Sequence, residues 1–114
     1  MVRSEDDVKI IELHQEGLKN VKKQILVGPK DGYDGFMRMF IIGEKGNTPY
    51  HKHDWYHLNY VVEGEGIVTI EGVEHKIRKG SVAYIPSNTT HGFGNIGQGD
   101  LRFLCLIPKE GGTY

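Results

Sequence analysis

From residue 21 onward the chain is a succession of short apolar runs of five to nine residues, each closed by glycine, proline or a polar turn. Runs of this length bounded by turn residues read as strands rather than helices. Val21–Val27 ends at Gly28-Pro29, and Phe36–Ile42 follows the loop Asp31-Gly32-Tyr33-Asp34-Gly35. Trp55–Glu63 closes at Gly64-Glu65-Gly66, while Ile67–Glu71 and Val73–Ile77 flank Gly72 as a hairpin. Ser81–Ile85 stops at Pro86, and His91–Asn95 leads into the turn Ile96–Asp100. Leu101–Ile107 is the last strand, ended by Pro108. Glu44–Pro49 is expected to be a loop. The one helix candidate, Val8–Leu18, carries apolar residues at Val8, Ile11 and either Ile10 or Leu18, and it reads equally well as a strand over Val8–Leu13. Nine or ten strands with tight turns point to a closed or sandwiched all-β fold.

Composition narrows this picture. At 114 residues there is room for one core. Glycine, 16 residues, falls about where the turns are needed. Lys+Arg number 14 against 15 Asp+Glu, a net charge of −1 with no basic block, which argues against nucleic acid as the main partner. The apolar runs fall far short of the ~18 residues that signal a bilayer span. The N-terminus, Val2-Arg3-Ser4-Glu5-Asp6-Asp7, is polar and acidic and lacks the apolar centre of a signal peptide. A cytoplasmic protein with no membrane association is expected. Cys105 is the only cysteine, so no intrachain disulfide can form.

The chemistry concentrates in His51–Gly64. Three of the six histidines, His51, His53 and His57, lie within seven residues. In an extended segment side chains alternate faces, so all three would point the same way, an arrangement a divalent metal can use. On the same alternation Asn59 and Val61 would follow His57 inward.

The spacing His51-x-His53, three residues, His57, six residues, Gly64 resembles the first motif of the cupin superfamily. The second cupin motif resembles Gly80-Ser-Val-Ala-Tyr-Ile-Pro86-Ser-Asn88-Thr-Thr-His91-Gly-Phe-Gly-Asn95, with fifteen residues between Gly64 and Gly80. Three positions depart from the pattern. Gly46 precedes His51 by one residue fewer than usual, Asn88 stands where a glycine is usual, and His57 stands where a glutamate is usual. Asn is among the residues that enter positive φ readily, so the turn at 88 can survive.

The resemblance implies a cupin-type double-stranded β-helix (jelly-roll) barrel over residues 21–114, preceded by an N-terminal arm over residues 1–20. It further implies that His51, His53, His57 and His91 hold one divalent transition metal per chain (Fe, Mn, Ni, Cu, Co or Zn). Four neutral imidazoles bring no negative charge, which disfavours a trivalent ion and favours an anionic ligand at the open positions. A homodimer, often formed in this family by exchange of N-terminal strands, is implied as well, with Val8–Val27 suited to it.

Around that site, Phe93 and Asn95 would face inward with His91. Phe93 is a candidate pocket wall and Asn59 a candidate metal-neighbouring polar group or substrate contact. Cys105 reads first as a small buried hydrophobe and second as a pocket residue. Arg38 reads first as a structural ion-pair partner and second as a contact for an anionic substrate. Tyr33, Phe36, Met37, Met39, Phe40, Trp55 and Tyr60 read as core or interface, and His14 and His75 as surface. Tyr84, Asp54 and Glu63 are acid–base candidates by chemistry alone. The function expected is that of a metal-dependent enzyme on a small organic substrate, with dioxygen-dependent cleavage ahead of isomerase or lyase chemistry. A non-catalytic module that binds or senses a small ligand is the alternative.

Overall fold

A computed structural model describes residues 1–111. Nine strands account for most of the chain: β1 (Ile11–Leu13), β2 (Lys19–Val27), β3 (Gly35–Asn47), β4 (His57–Glu63), β5 (Glu65–Ile70), β6 (Val73–Arg78), β7 (Val82–Ile85), β8 (His91–Asn95) and β9 (Leu101–Pro108). Only two single-turn 3₁₀ segments, Glu5–Asp7 and Pro29–Asp31, are helical among the described residues. The main path runs β6-β5-β8-β3-β9-β4-β7, with β2 on β3 and β1 on β2, every pair antiparallel. This is the curled sheet of a cupin-type jelly-roll, the fold class expected from the sequence.

β3 is what curls it. Over thirteen residues it pairs with β2 on one edge and β9 on the other, then reaches β8 at Asn47↔Gly94. The loop expected at Glu44–Pro49 is therefore strand as far as Asn47. Two positive-φ residues, Asn20 (φ 55°) and Lys45 (φ 61°), sit where β2 and β3 shift register, and Asn20 Nδ2 donates to the Glu44 carbonyl. Gly46 is required at the bend. A Cβ there would stand 2.6 Å from the Lys19 carbonyl oxygen.

Of the two readings of the N-terminal segment, the structure has the strand. Gly17 turns the chain at φ 86°, and Ile11 and Leu13 pair with Lys23 and Val21. Leu13 thereby joins the core. Buried Gln24 donates to the carbonyls of Glu5 and Val8, and Arg102 pairs with Glu5 at 2.6 Å, so the arm is tied down at both faces.

Strict alternation makes the interior. Along β9, Leu101, Phe103, Cys105 and Ile107 are buried, and along β4 His57, Asn59 and Val61 are buried while Leu58 and Tyr60 are exposed. At one end of the barrel the inward residues are aliphatic. Toward the other, Phe103 stacks between Phe93 (4.4 Å) and Phe40 (5.6 Å) and forms a floor for the polar groups. No helix among the described residues is long and apolar enough to cross a membrane.

Candidate metal centre

His51, His53 and His91 each bring one nitrogen within 4.8 Å of the others. They reach this point from three local structures. His51 and His91 exchange backbone hydrogen bonds (3.0 and 2.8 Å) across an isolated bridge. His53 sits in the loop after it, its carbonyl accepting from the Asn88 N–H at 2.7 Å. Asn88 holds φ 61°, so the asparagine in the glycine position of the turn does take the left-handed conformation. His57 opens β4 opposite Ile85. The three first-motif histidines therefore do not share one strand. Residues 52–56 bend away from extended structure, because the chain must leave β3's end and re-enter the sheet at β4. The convergence is tertiary, not a consequence of alternation.

His57 lies against this group, its ring 4.6 Å from that of His91 and 5.4 Å from that of His53. Its Nε2 is 2.9 Å from Nε2 of His91. Outer partners orient the rings. His53 Nδ1 faces the Trp55 carbonyl at 3.0 Å, and His91 Nδ1 faces the Thr89 carbonyl at 2.8 Å. His57 Nδ1 faces Asn59 Oδ1 at 2.7 Å, and Asn59 Nδ2 donates to the Leu104 carbonyl, which fixes the amide's orientation. A carbonyl oxygen can only accept, so each of these Nδ1 atoms carries the proton and each Nε2 presents a lone pair.

Two lone pairs facing at 2.9 Å repel unless a cation stands between or beside them. Nitrogens ~2.1 Å from one ion in adjacent octahedral positions are about 3.0 Å apart. The donor set thus fits a transition metal, with His51, His53 and His91 as a cluster that needs only small ring adjustments. Burial, with repulsion from His91 as a lesser cause, lowers His57 to about 3, and burial lowers His91 to about 4. Burial also lowers His51 and His53. All four rings are neutral near pH 7, the form that ligates.

Beside the histidines is a narrow cavity of about 20 Å³. Asn59, Phe93, Cys105 and Arg38 all line it. Asn95 does not. Its amide bridges the Ile42 and Gly99 carbonyls instead and ties β3 to the turn before β9. Phe40 belongs to the core and Trp55 packs against it, as expected, and both also wall the cavity, where Trp55 stacks on the His53 ring at 4.1 Å with the planes 4° apart. Thr48 and Phe103 were not anticipated at the site. Phe103 carried a signal, since it shares β9's inward phase with Cys105, whereas Thr48 sat in a segment read as loop. Tyr84 is 61% exposed, Glu63 pairs with Arg102 at the surface and Asp54 is exposed, so none of the acid–base candidates reaches the cavity. His14 and His75 are exposed.

Residues 38–107, well over half the chain, match the cupin-2 family of cupin domains. The chain belongs to the cupins. Over 96% of its length this cupin superposes on the polyketide cyclase RemF from Streptomyces resistomycificus with a TM-score of 0.87 and 30% identity, covering 80% of that chain. It is 34% identical over 58 residues to an oxalate-binding protein of Thermotoga maritima, 50% of this chain and 48% of that protein. It is 48% identical over 42 residues to the dimethylsulfoniopropionate lyase DddW of Ruegeria pomeroyi, 37% of this chain and 28% of that protein. The cupin spans half or less of the length of the curated relatives it matches.

Proposed function

We propose that this cupin is a metal-dependent enzyme for a small oxygen-bearing substrate, with His51, His53, His57 and His91 holding one divalent transition metal. The observation that carries the reading is the set of three Nε2 lone pairs, each enforced by a carbonyl acceptor on the opposite ring nitrogen. His51 completes the set, with a ring nitrogen within 4.8 Å of those of His53 and His91. A bound ion would supply Lewis acidity toward a carbonyl, carboxylate or enol oxygen.

The chain's own residues do the remaining work. Trp55 holds the His53 ring flat against its indole, and Asn59 holds the His57 proton away from the site. The phenylalanines 40, 93 and 103 keep one wall dry, which strengthens every electrostatic contact inside. Non-redox chemistry is the first reading. It agrees with the names of the similar proteins, a cyclase and a lyase among them. The dioxygen-dependent cleavage expected from the sequence is kept as the second reading, favoured by a neutral four-nitrogen donor set that leaves positions open for a further ligand.

Metal analysis of untagged protein is expected to find close to one transition metal per chain. A value near zero that added metal does not restore overturns the site. His57→Ala is expected to weaken metal binding at least tenfold, and unchanged affinity would remove His57 from the ligand set. Turnover of candidate substrates that persists under argon supports the non-redox reading; turnover abolished without air establishes the oxidative one. Binding with no turnover in either gas would assign a ligand-binding module. A homodimer is part of the same proposal. Sedimentation is expected to give about twice the 12.9 kDa chain mass, and a single-chain mass would refute it.

A further inference from the structure

His53 sits in a segment, residues 52–56, that lies outside the sheet, so no strand pairing fixes its side chain. Trp55 holds the imidazole twice instead. Its carbonyl faces His53 Nδ1 at 3.0 Å, and its indole lies flat along the ring with the centres 4.1 Å apart and the planes 4° apart. One residue thus sets both the tautomer and the tilt of His53. Trp55 also packs against the core, which limits sliding of the indole in its own plane. Movement perpendicular to that plane depends on what covers its second face.

Gly111 covers it. β9 ends at Pro108, and a turn in which the Gly111 N–H donates to the Pro108 carbonyl at 3.0 Å brings Gly111 back onto the indole. A Cβ on Gly111 would stand 2.7, 2.8 and 2.9 Å from Trp55 Nε1, Cδ1 and Cε2. These are three consecutive ring atoms. A point beyond the ring edge would be much farther from the outer two than from the middle one, so the near-equal distances place Gly111 over the face. Two groups this close cannot share one face, and the indole is therefore enclosed between the His53 imidazole and the Gly111 backbone. Gly111 is not among the glycines with positive φ, so the missing side chain serves this contact and not the turn.

Close-packed groups pass displacement on to their neighbours. A methyl group at 111 has to push the indole, and the indole can move only toward His53. The His53 ring would then leave the point it shares with His51 and His91. We propose that Gly111 is a positioning residue of the metal centre, holding His53 in place through Trp55. Only the metal half of this rests on the reading given above; the enclosure of the indole does not.

Gly111→Ala tests it with two readouts. In metal-free protein the carbon-bound ring protons of His53, shifted by the indole beneath them, are expected to change their NMR positions, while those of exposed His75 stay. Zinc affinity, by competition with a chelator, is expected to fall about tenfold, the lower end of what loss of a ligand's supporting contact costs. Trp55→Phe keeps the carbonyl and leaves room for a methyl group, so adding Gly111→Ala to it is expected to cost less than twofold further. Unmoved His53 resonances, wild-type zinc affinity in Gly111→Ala, or the same tenfold loss in both backgrounds would each overturn the proposal. Should Gly111→Ala alone fail to fold by circular dichroism, the comparison within the Trp55→Phe background decides. Wild-type protein that takes no zinc would reject the metal site, and the His53 resonances of Gly111→Ala would still decide whether Gly111 positions the ring.

Discussion

At the residue scale the site is governed by which nitrogen of each ring holds the proton. Asn59 is the clearest case, since a single amide both accepts from His57 Nδ1 and donates to the Leu104 carbonyl. Asn59→Leu removes the acceptor and frees the His57 ring to rotate or change tautomer. Losses of this kind usually weaken metal binding about 10- to 100-fold, and that is the expected result by competition with a chelator of known affinity. Wild-type affinity in Asn59→Leu would mean that the ring is held by packing alone. His57→Glu is the complementary change. It adds a negative charge at the position proposed as the fourth ligand and is expected to lower the potential of a redox-active ion there, read by voltammetry of the iron-loaded protein. His57 could be singled out from sequence because a histidine stood in a glutamate position. Asn59 was visible by phase with His57, but its double hydrogen bond depended on where β9 would lie.

At the element scale, the turn between β7 and β8 carries the second motif, and its geometry depends on Asn88. That residue combines φ 61° with a 2.7 Å bond from its N–H to the His53 carbonyl. Left-handed backbone costs an ordinary L-residue roughly 1–2 kcal/mol. Asn88→Ala is therefore expected to lower stability by about 1 kcal/mol and Asn88→Gly to leave it close to the wild type, by urea denaturation. If both variants lose the same amount, the side chain rather than the backbone is what matters there. The strand pattern was legible because turn residues bound the apolar runs and because β4 and β9 alternate cleanly. The loop after β3 was misread because Glu44, Lys45 and Gly46 look like turn residues, yet β3 bends through them while still pairing, a bulge permitted by the neighbouring Asn20. The first-motif histidines were assigned to one strand for a similar reason. Period two describes strands, and nothing local marks where a strand stops for five residues before resuming at His57.

At the scale of the whole molecule, the histidines connect stability to pH and metal. In the metal-free fold His57 and His91 titrate near 3 and 4, against 6.5 for an ordinary imidazole. The unfolded chain takes up these protons first as pH falls, so the stabilisation is complete above about pH 6.5 and is lost progressively toward the folded-state values. Metal-free protein is expected to melt about 10 °C lower at pH 5 than at pH 7. A flat melting temperature over that range would show that the rings are more solvated than the fold implies. Metal removal at pH 7 is expected to lower the melting temperature as well, by an amount that grows with the excess of ion over its dissociation constant, since the folded site binds and the unfolded chain does not. Calorimetry at several zinc concentrations checks this.

By itself the sequence determined the all-β class, the family and the histidines His51, His53 and His91 that cluster, because turn residues and motif spacing are local patterns that survive without knowledge of the fold. Only the tertiary structure decided what surrounds them. Arg38 belongs to β3 and Cys105 to β9, 67 residues apart, and their 3.2 Å contact exists because those strands pair in one register. Phe40 and Trp55 could be placed in or against the core from sequence, but that they also wall the cavity depends on which strands meet around it. The lining of this barrel's cavity follows from which inward faces meet, and long-range pairing alone sets that.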